Sequence, residues 1–486
     1  MKINCGTKRD VDEIVLFPFD RYSVPFRSGL ELHMTEGRKY IDNPVLKRGV
    51  QGMPDSETVA YYGSIIHIDG QYHMWYLGGG NKDEGRPISW YRTPRMRVCH
   101  AISNDGIHWE KPELGLVEYN GNKKNNLVRL DCEGAVLACV VIYDKDEPDQ
   151  AKRYKMSYEK MPEAAHYVAY SPDGLIWTNS GKNPVTVTML EQTGLIKLDG
   201  CYYVTGQTAA AKRVLAVHAS YDFENWTEAC SIGYRRDAVG PLEPMYGGFN
   251  TGEHVHVGAS LWDRGNIVLG FYGQWHGPRP ESDDRRELSM DIGLLVTQDA
   301  LHYEEPIPGF KIVQGREEAW PQLSPGPRLT QGQGFENIGD CTYFWYGIWG
   351  PGGGNGVHLA MWDRDRLGYF SVARAPREGF IPTQGVKPHF ISSPIDLSGG
   401  EGKVYINAAH LSQHSLLRVE ILDEYFREVP GYCGEECLVV DNPGLKQEVV
   451  WKNNNTIKAV KGPVRIKVSF EGLRLEDSRV YAVYIK

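Results

Sequence analysis

Four copies of one short pattern constrain this chain more than any other feature of its 486 residues. Ser103-Asn-Asp-Gly-Ile-His-Trp109 and Ser171-Pro-Asp-Gly-Leu-Ile-Trp177 share the form Ser-x-Asp-Gly-x-x-Trp. Ser220-Tyr-Asp-Phe-Glu-Asn-Trp226 keeps all but the glycine, and Thr297-Gln-Asp-Ala-Leu-His-Tyr303 is a worn copy. Ser and Asp can bond the backbone of a turn, Gly accepts a positive φ, and Trp offers a flat face for packing between neighbouring units. Unequal intervals separate the copies, so the loops vary while the turn is kept. The pattern reads as an architectural element, not a catalytic one.

Each copy closes a longer unit. In Ser64-Ile-Ile-His-Ile-Asp-Gly-Gln-Tyr-His-Met-Trp-Tyr76 two β-rich runs flank Asp-Gly, a strong hairpin signal because both turn residues tolerate positive φ. Residues 98–102 add a third strand, and Trp109 opens a fourth. The hairpin recurs at 140–158, 194–204, 259–269 and 337–346. Five four-stranded units in series predict an all-β chain with a five-bladed β-propeller over 51–385. Clean alternation at 403–407, 416–422, 464–470 and 480–485 predicts a β-sandwich over 386–486. Residues 1–50 read as an N-terminal lead-in packing on the propeller. The 28 Tyr and 12 Trp suit pleated surfaces.

The net charge of −9, without a long Lys/Arg run, argues against a nucleic-acid partner. Arg86, Arg92, Arg95 and Arg97 form one local basic cluster, either a solvated loop or a contact for an anion. Nine cysteines lack paired short spacings, and Cys433 and Cys437 have no second pair, so neither a disulfide framework nor a zinc site is expected. No stretch approaches eighteen apolar residues and the first residues lack an apolar signal core, so a cytoplasmic protein away from membranes is expected. A clipped signal peptide would leave the same sequence. No cofactor or metal is expected, and a homo-oligomer is left open.

The order of predicted domains, the x-Asp-Gly-x-Tyr hairpins and the Ser-x-Asp-Gly-x-x-Trp turn followed by Glu110-Lys-Pro112 together resemble the propeller superfamily of glycoside hydrolase families 32 and 43, the invertases and furanosidases. His108-Trp-Glu-Lys-Pro-Glu-Leu-Gly-Leu-Val-Glu-Tyr-Asn120 is similar to a group of poorly characterised glycosyl hydrolases of that kind. The resemblance implies acids at the starts of the innermost strands, facing a central funnel. Such chemistry needs one protonated and one ionised carboxyl flanking the glycosidic bond, with environments that push their pKa values apart.

The superfamily's first-blade Asp would fall at position 61, which is Tyr; the nearest acids are Asp55 and Glu57. The invertase Arg-Asp-Pro motif is absent, and Glu436-Cys437 lies in the predicted sandwich. Glu57, Glu133, Glu191 and Glu253 each precede or open a predicted first strand and are the candidate catalytic acids, against the plainer reading of solvated loop acids. Glu336 lies inside the fifth. His254 and His256 point to one strand face beside Glu253, where they could hold a sugar hydroxyl, tune an acid, bind a metal or simply pack. Gln274, Trp275, His276, Arg279 and Trp349, at strand ends near glycine-rich loops, are candidate sugar contacts, because an aromatic face stacks on the apolar face of a sugar. The run 351–355 precedes no helix and is not a phosphate loop.

The resulting expectation is a hydrolase cleaving a terminal, furanoside-like bond of a small glycan. Two alternatives stand beside it. One is a glycoside phosphorylase using Arg92, Arg95 or Arg279 for phosphate. The other is a carbohydrate-binding or scaffold propeller, favoured by the missing acid at Tyr61.

Overall fold

The computed structural model describes residues 1–5, 9–80, 95–186, 189–208, 213–236, 252–278, 282, 284, 287–317, 327–350, 353–373, 387–458 and 461–486. The chain is all-β, with only short 3-10 turns besides strands among the described residues. Among the described residues no helix is long and apolar enough to cross a membrane.

Five antiparallel units follow one another. Unit 1 holds Thr58–Ile68, Gln71–Gly79 and Met96–Ser103; unit 2 holds Ala135–Tyr143, Tyr154–Met161, Ala165–Ser171 and Ile176–Asn179. Unit 3 is Glu191–Leu198, Cys201–Thr208, Val214–Ser220 and Ser231–Tyr234. Unit 4 is Glu253–Asp263, Val268–His276 and Ser289–Thr297, and unit 5 is Arg328–Ile338, Cys341–Gly350 and Gly353–Asp363. The predicted Asp-Gly hairpins form where expected: Asp69 and Gly70 have φ of 51° and 82°, and Asp199 and Gly200 have 49° and 79°. The expected fourth strands do not all form. In unit 1 the outer edge is reduced to bridges at Glu110 and Leu127, and in unit 4 to bridges at Glu304 and Val313. In unit 5 it comes from the N-terminal segment, whose Arg38–Lys39 and Leu46–Lys47 pair with the third strand.

The repeated turn does what its residues suggest, and also joins units. Ser103 Oγ accepts from the Asp105 and Gly106 amides, Asp105 Oδ1 from those of Ile107 and His108, and Gly106 has φ 76°. Trp109 Nε1 closes the turn on the Gly106 carbonyl at 3.0 Å. That carbonyl also accepts from Trp345 of unit 5 at 2.8 Å. The Gly174 carbonyl likewise receives Trp177 at 3.0 Å and Trp75 of unit 1 at 2.7 Å. In both Asp-Gly copies the turn thus ends in a carbonyl shared between its own indole and that of a neighbouring unit.

The first strands pack in a closed cycle, unit 1 on 2, 2 on 3, 3 on 4, 4 on 5 and 5 on 1. All five carry a register shift, between Ala60 and Ser64, Val136 and Ala138, Gln192 and Gly194, His256 and Ala259, and Gln331 and Phe335. A bulge bends its strand and re-aims side chains. Here five bulges draw the backbones together into a waist. A Cβ on Gly332 would meet Gly63 backbone atoms at 2.7 and 2.8 Å, so only glycine permits this approach. Contacts cross the axis at the same level. Gln333 exchanges bonds with both backbone groups of Leu195, at 2.6 and 2.8 Å, joining units 5 and 3. The ring of Tyr62 in unit 1 lies 6.4 Å from that of His256 in unit 4. The axis is thereby divided into a mouth at the strand starts and a mouth at the strand ends.

Two six-stranded sheets follow and share one apolar core that includes Phe370, Ile406, Val419, Ile466 and Val483. The opening segment, expected along the ring, is divided between the two bodies. Lys2–Ile3 and Phe26–Ser28 join one of these sheets, Ile14–Leu16 and Leu30–Met34 the other, and only the strands at 38–47 edge the ring. A buried ionic knot ties the bodies together. Asp365 is paired with Arg264 of unit 4 and accepts from Asn337 of unit 5 and Tyr484 of the last strand, each at 2.9 Å.

Candidate functional site

Units 3 and 4 bring Glu191, Glu253, His254, His256, Trp275 and His276 together at the strand-start mouth. Thr193 Oγ1 donates to the Val257 carbonyl and Gly194 abuts the Ala259 carbonyl, so the two strands run side by side in the same sense. Glu191, 9% exposed, and Glu253 then open adjacent strands at one end of the ring. Pairing in unit 4 sets His254 opposite Trp275 and Glu253 opposite His276, and opposed residues share a sheet face. The two histidines thus lie with Trp275 on one face, while Glu253, Gln274 and His276 lie on the other.

On the first face His256 stacks on Trp275 with centroids 5.8 Å apart, and His254 meets its edge at 6.5 Å. Arg213 of unit 3 lays its guanidinium over the indole at 3.7 Å and donates to Gln207 Oε1 at 3.0 Å. Gln331 of unit 5 fixes the strand from behind by donating to the His256 and Gly258 carbonyls. Trp349 packs beside Trp275, Leu288 and Met290, under the Arg328 guanidinium at 4.7 Å.

On the second face His276 stands between two acids. Its Nδ1 is 2.8 Å from Glu253 Oε2 and its Nε2 is 3.0 Å from Asp291 Oδ2. Arg236 pairs with Glu253 at 2.7 Å, and Lys311 and the Gly315 amide engage Asp291. Burial alone would raise both carboxyls, yet His276 and the nearby cations hold Glu253 below its ordinary pKa and Asp291 far below. Burial would lower the imidazole, but its two carboxylate partners outweigh that and raise it. Neither Asp291 nor Arg213 stood out in the sequence, because each is an isolated charge in or beside a strand.

A further carboxyl was also missed. Glu159, in the second strand of unit 2, is fully buried, and neither oxygen finds a hydrogen-bond partner among the described residues. Burial first, and then the charge of Glu191, raise its pKa well above the ordinary value. The available signal was its place in Ser157-Tyr-Glu-Lys-Met161, where alternation sets a charged residue on the face of Ser157, which is itself buried.

The remaining candidates do not join this cluster. Glu57 and Glu133 are exposed at strand starts. Gln274 is buried against unit 4's outer edge, donating to Glu305 at 3.2 Å and to the Phe310 carbonyl at 3.1 Å. Tyr61 is fully buried in the bulge of unit 1, and Asp55 is buried beneath Tyr76 and Lys111. Arg95 donates to the Gly134 and Cys132 carbonyls. Arg86, Arg92 and Arg279 lie outside the described residues. Glu336 lines a cavity at the opposite mouth, beyond the waist. No group of three or more His, Cys, Asp or Glu among the described residues is arranged to hold a metal ion.

No family model and no curated protein matches the chain. Solved structures similar to it include a glycosyl hydrolase from Bacteroides ovatus, at 14% identity over 69% of this chain and 95% of that one, with a TM-score of 0.46. Another comes from the GH130 family of mannoside phosphorylases, which contains glycoside hydrolases that target β-1,2 mannosidic linkages in Candida mannan, at 15% identity over 71% and 97% and a TM-score of 0.45. An exo-β-1,3-galactanase from Phanerochaete chrysosporium aligns at 10% identity over 92% and 100%, with a TM-score of 0.38.

Proposed function

We propose that the five units form a five-bladed β-propeller over 51–385, followed by a β-sandwich over 386–486, and that the strand-start mouth cleaves a glycosidic bond at the end of a small glycan. One observation carries the reading. Glu191 and Glu253 open adjacent strands beside a buried aromatic and guanidinium cluster, and their surroundings differ in electrostatic sense. Glu253 is kept ionised by Arg236 and His276 and is suited to act as base or nucleophile. Glu191 neighbours Glu159, a buried carboxyl that favours its proton, and two close carboxyls do not both ionise readily. The pair therefore retains one proton, held chiefly by the buried Glu159, and Glu191, at the strand start, is the member placed to relay it to the leaving oxygen. His254, His256 and Arg213, ordered around the buried Trp275, form the platform for the glycone.

A phosphorolytic variant of this reaction draws on Arg213, Arg236 and Arg328, three buried guanidinium groups at that mouth. Furanoside specificity remains part of the proposal on the sequence resemblance alone, and exo action because a propeller funnel suits terminal sugars. The test is release of nitrophenol from nitrophenyl furanosides and pyranosides, with fructo-oligosaccharides alongside, each with and without inorganic phosphate. Turnover of one glycone is expected, and phosphate dependence would select phosphorolysis. Silence from folded protein across the whole panel would overturn catalysis in favour of a binding propeller.

A further inference from the structure

Beyond the waist, the ends of the five first strands enclose a cavity of about 460 Å³ to which every unit contributes. The paired bonds between Gln333 and Leu195 separate it from the mouth of Glu191 and Glu253. Its walls combine aromatic rings with carboxylates. Trp262 is partly exposed and packs against Phe335 with centroids 4.4 Å apart, and Tyr143 stands across from them on unit 2.

The charges are unevenly matched. Asp144, Asp146, Asp263 and Glu336 face two lysines, Lys145 and Lys197, and the imidazole of His67. Two of the four acids are already neutralised: Asp144 by Lys197 at 2.8 Å, and Asp263 by Arg9 from the opening segment. Glu336 has no such partner. Its Oε1 accepts from the Asn337 amide at 2.8 Å, and no ion pair engages it among the described residues. Burial raises its pKa, an effect that the Asn337 amide and the charges of Arg264, His67 and Arg364 only partly offset.

We propose that this cavity binds a small organic cation, an ammonium group on an apolar body, with Glu336 as counter-ion and the rings of Trp262, Phe335 and Tyr143 around it. Aromatic faces attract cations through their quadrupoles, and desolvation strengthens that attraction. The aliphatic wall of Ile66, Ile142 and Ile196 suits the apolar body. An anion would meet the acidic excess. A neutral sugar would leave the Glu336 charge without a partner. This site is independent of the glycoside reaction proposed for the other mouth.

Isothermal titration calorimetry on the full chain at pH 7 tests it, with phenethylammonium and benzyltrimethylammonium as probes. The neutral 2-phenylethanol and glucose serve as comparisons. Both cations are expected to bind at least tenfold more tightly than either neutral compound. Glu336→Gln should weaken both cations at least tenfold and leave 2-phenylethanol unchanged, with thermal unfolding reporting that the variant folds. Ile66→Trp, which fills the cavity from its wall, should abolish cation binding by a route that spares the carboxylate. Absence of heat from both cations at millimolar concentration would overturn the proposal. So would equal binding of 2-phenylethanol, tighter binding of glucose, or undiminished cation binding in Glu336→Gln.

Discussion

Arg213 and Trp275 come from different units, and the guanidinium carbon of one lies 3.7 Å from the ring centroid of the other. The indole is 1% exposed and the arginine 5%, so the pair is desolvated. A cation over an indole is worth up to about 2 kcal/mol in such surroundings. Arg213→Met keeps most of the stem and removes the charge. With an active glycoside in hand, this variant should raise KM about tenfold, the change that corresponds to about 1.4 kcal/mol. The melting temperature should fall as well, because the same pair is buried within the fold. An unchanged KM would remove Arg213 from the substrate platform.

Glu191→Gln and Glu253→Gln should each lower kcat by a factor of ~10² to 10⁴, the range for losing a positioned acid or base. Steady-state kinetics on the reactive nitrophenyl glycoside, with circular dichroism to verify folding, measure this. Full activity in both variants would sink the catalytic assignment.

Glu159 gives a prediction with a definite sign. Its folded pKa lies well above the ordinary 4.5, so the native state holds a proton that the unfolded chain releases more readily. Stability from this group is present below pH 4.5 and is lost as pH rises towards the folded value. Glu159→Gln removes the titration and keeps the shape. The variant should match the parent near pH 4 and melt at a higher temperature than the parent at pH 8. Parallel melting curves across that range would show that Glu159 is not held protonated.

The difference between what the sequence revealed and what it hid follows from range. The turn at Ser103–Asp105–Gly106–Trp109 is legible because its bonds close within seven residues, and so are the hairpins at Asp69-Gly70 and Asp199-Gly200. The bulges are harder to read. Gly63 and Gly332 mark two of them, but the reason for glycine at 332 is the backbone of Gly63 in another unit, 269 positions away by sequence number, and at 63 it is the backbone of Trp75 in the next strand. Acids at Glu191 and Glu253 could be found because a strand start has a local signature. Glu159, Asp291 and Arg213 could not, because their importance comes from neighbours brought by other strands. The outer strand of unit 5 was invisible for the same reason: residues 38–47 have no alternation, and only pairing to Gly353–Asp363 makes them strands.

His276 should shape the alkaline side of the stability profile. Its folded pKa is raised above 6.5 by Asp291 and Glu253 in spite of burial, so its contribution is complete below pH 6.5 and is lost as pH rises through the folded value. Asp291, held far below 3.8 by the same imidazole and Lys311 despite burial, contributes fully above pH 3.8 and loses that contribution only in stronger acid. The cluster is thus most stabilising between about pH 4 and 6.5. Melting temperatures of the parent and of His276→Asn should differ most in that window and converge towards pH 9. A constant difference from pH 5 to 9 would mean that the imidazole acts by packing alone.

The waist makes a sharp demand on a single residue. A Cβ on Gly63 would stand 1.8 Å from the carbonyl oxygen of Trp75 and 2.7 Å from its carbon, both backbone atoms of the adjacent strand. Neither can rotate away, and Trp75 is anchored at the other end by its bond to the Gly174 carbonyl. Overpacking of this kind costs at least ~1–3 kcal/mol, and more where no side chain can yield. Gly70 is the internal comparison, since a Cβ there meets nothing within 4 Å and only its φ of 82° opposes substitution, at about 1–2 kcal/mol. Chemical denaturation of Gly63→Ala and Gly70→Ala should show the larger loss at Gly63, with the turn variant remaining folded and cooperative. Equal losses at the two positions would mean that the strands of unit 1 can part without disturbing the ring.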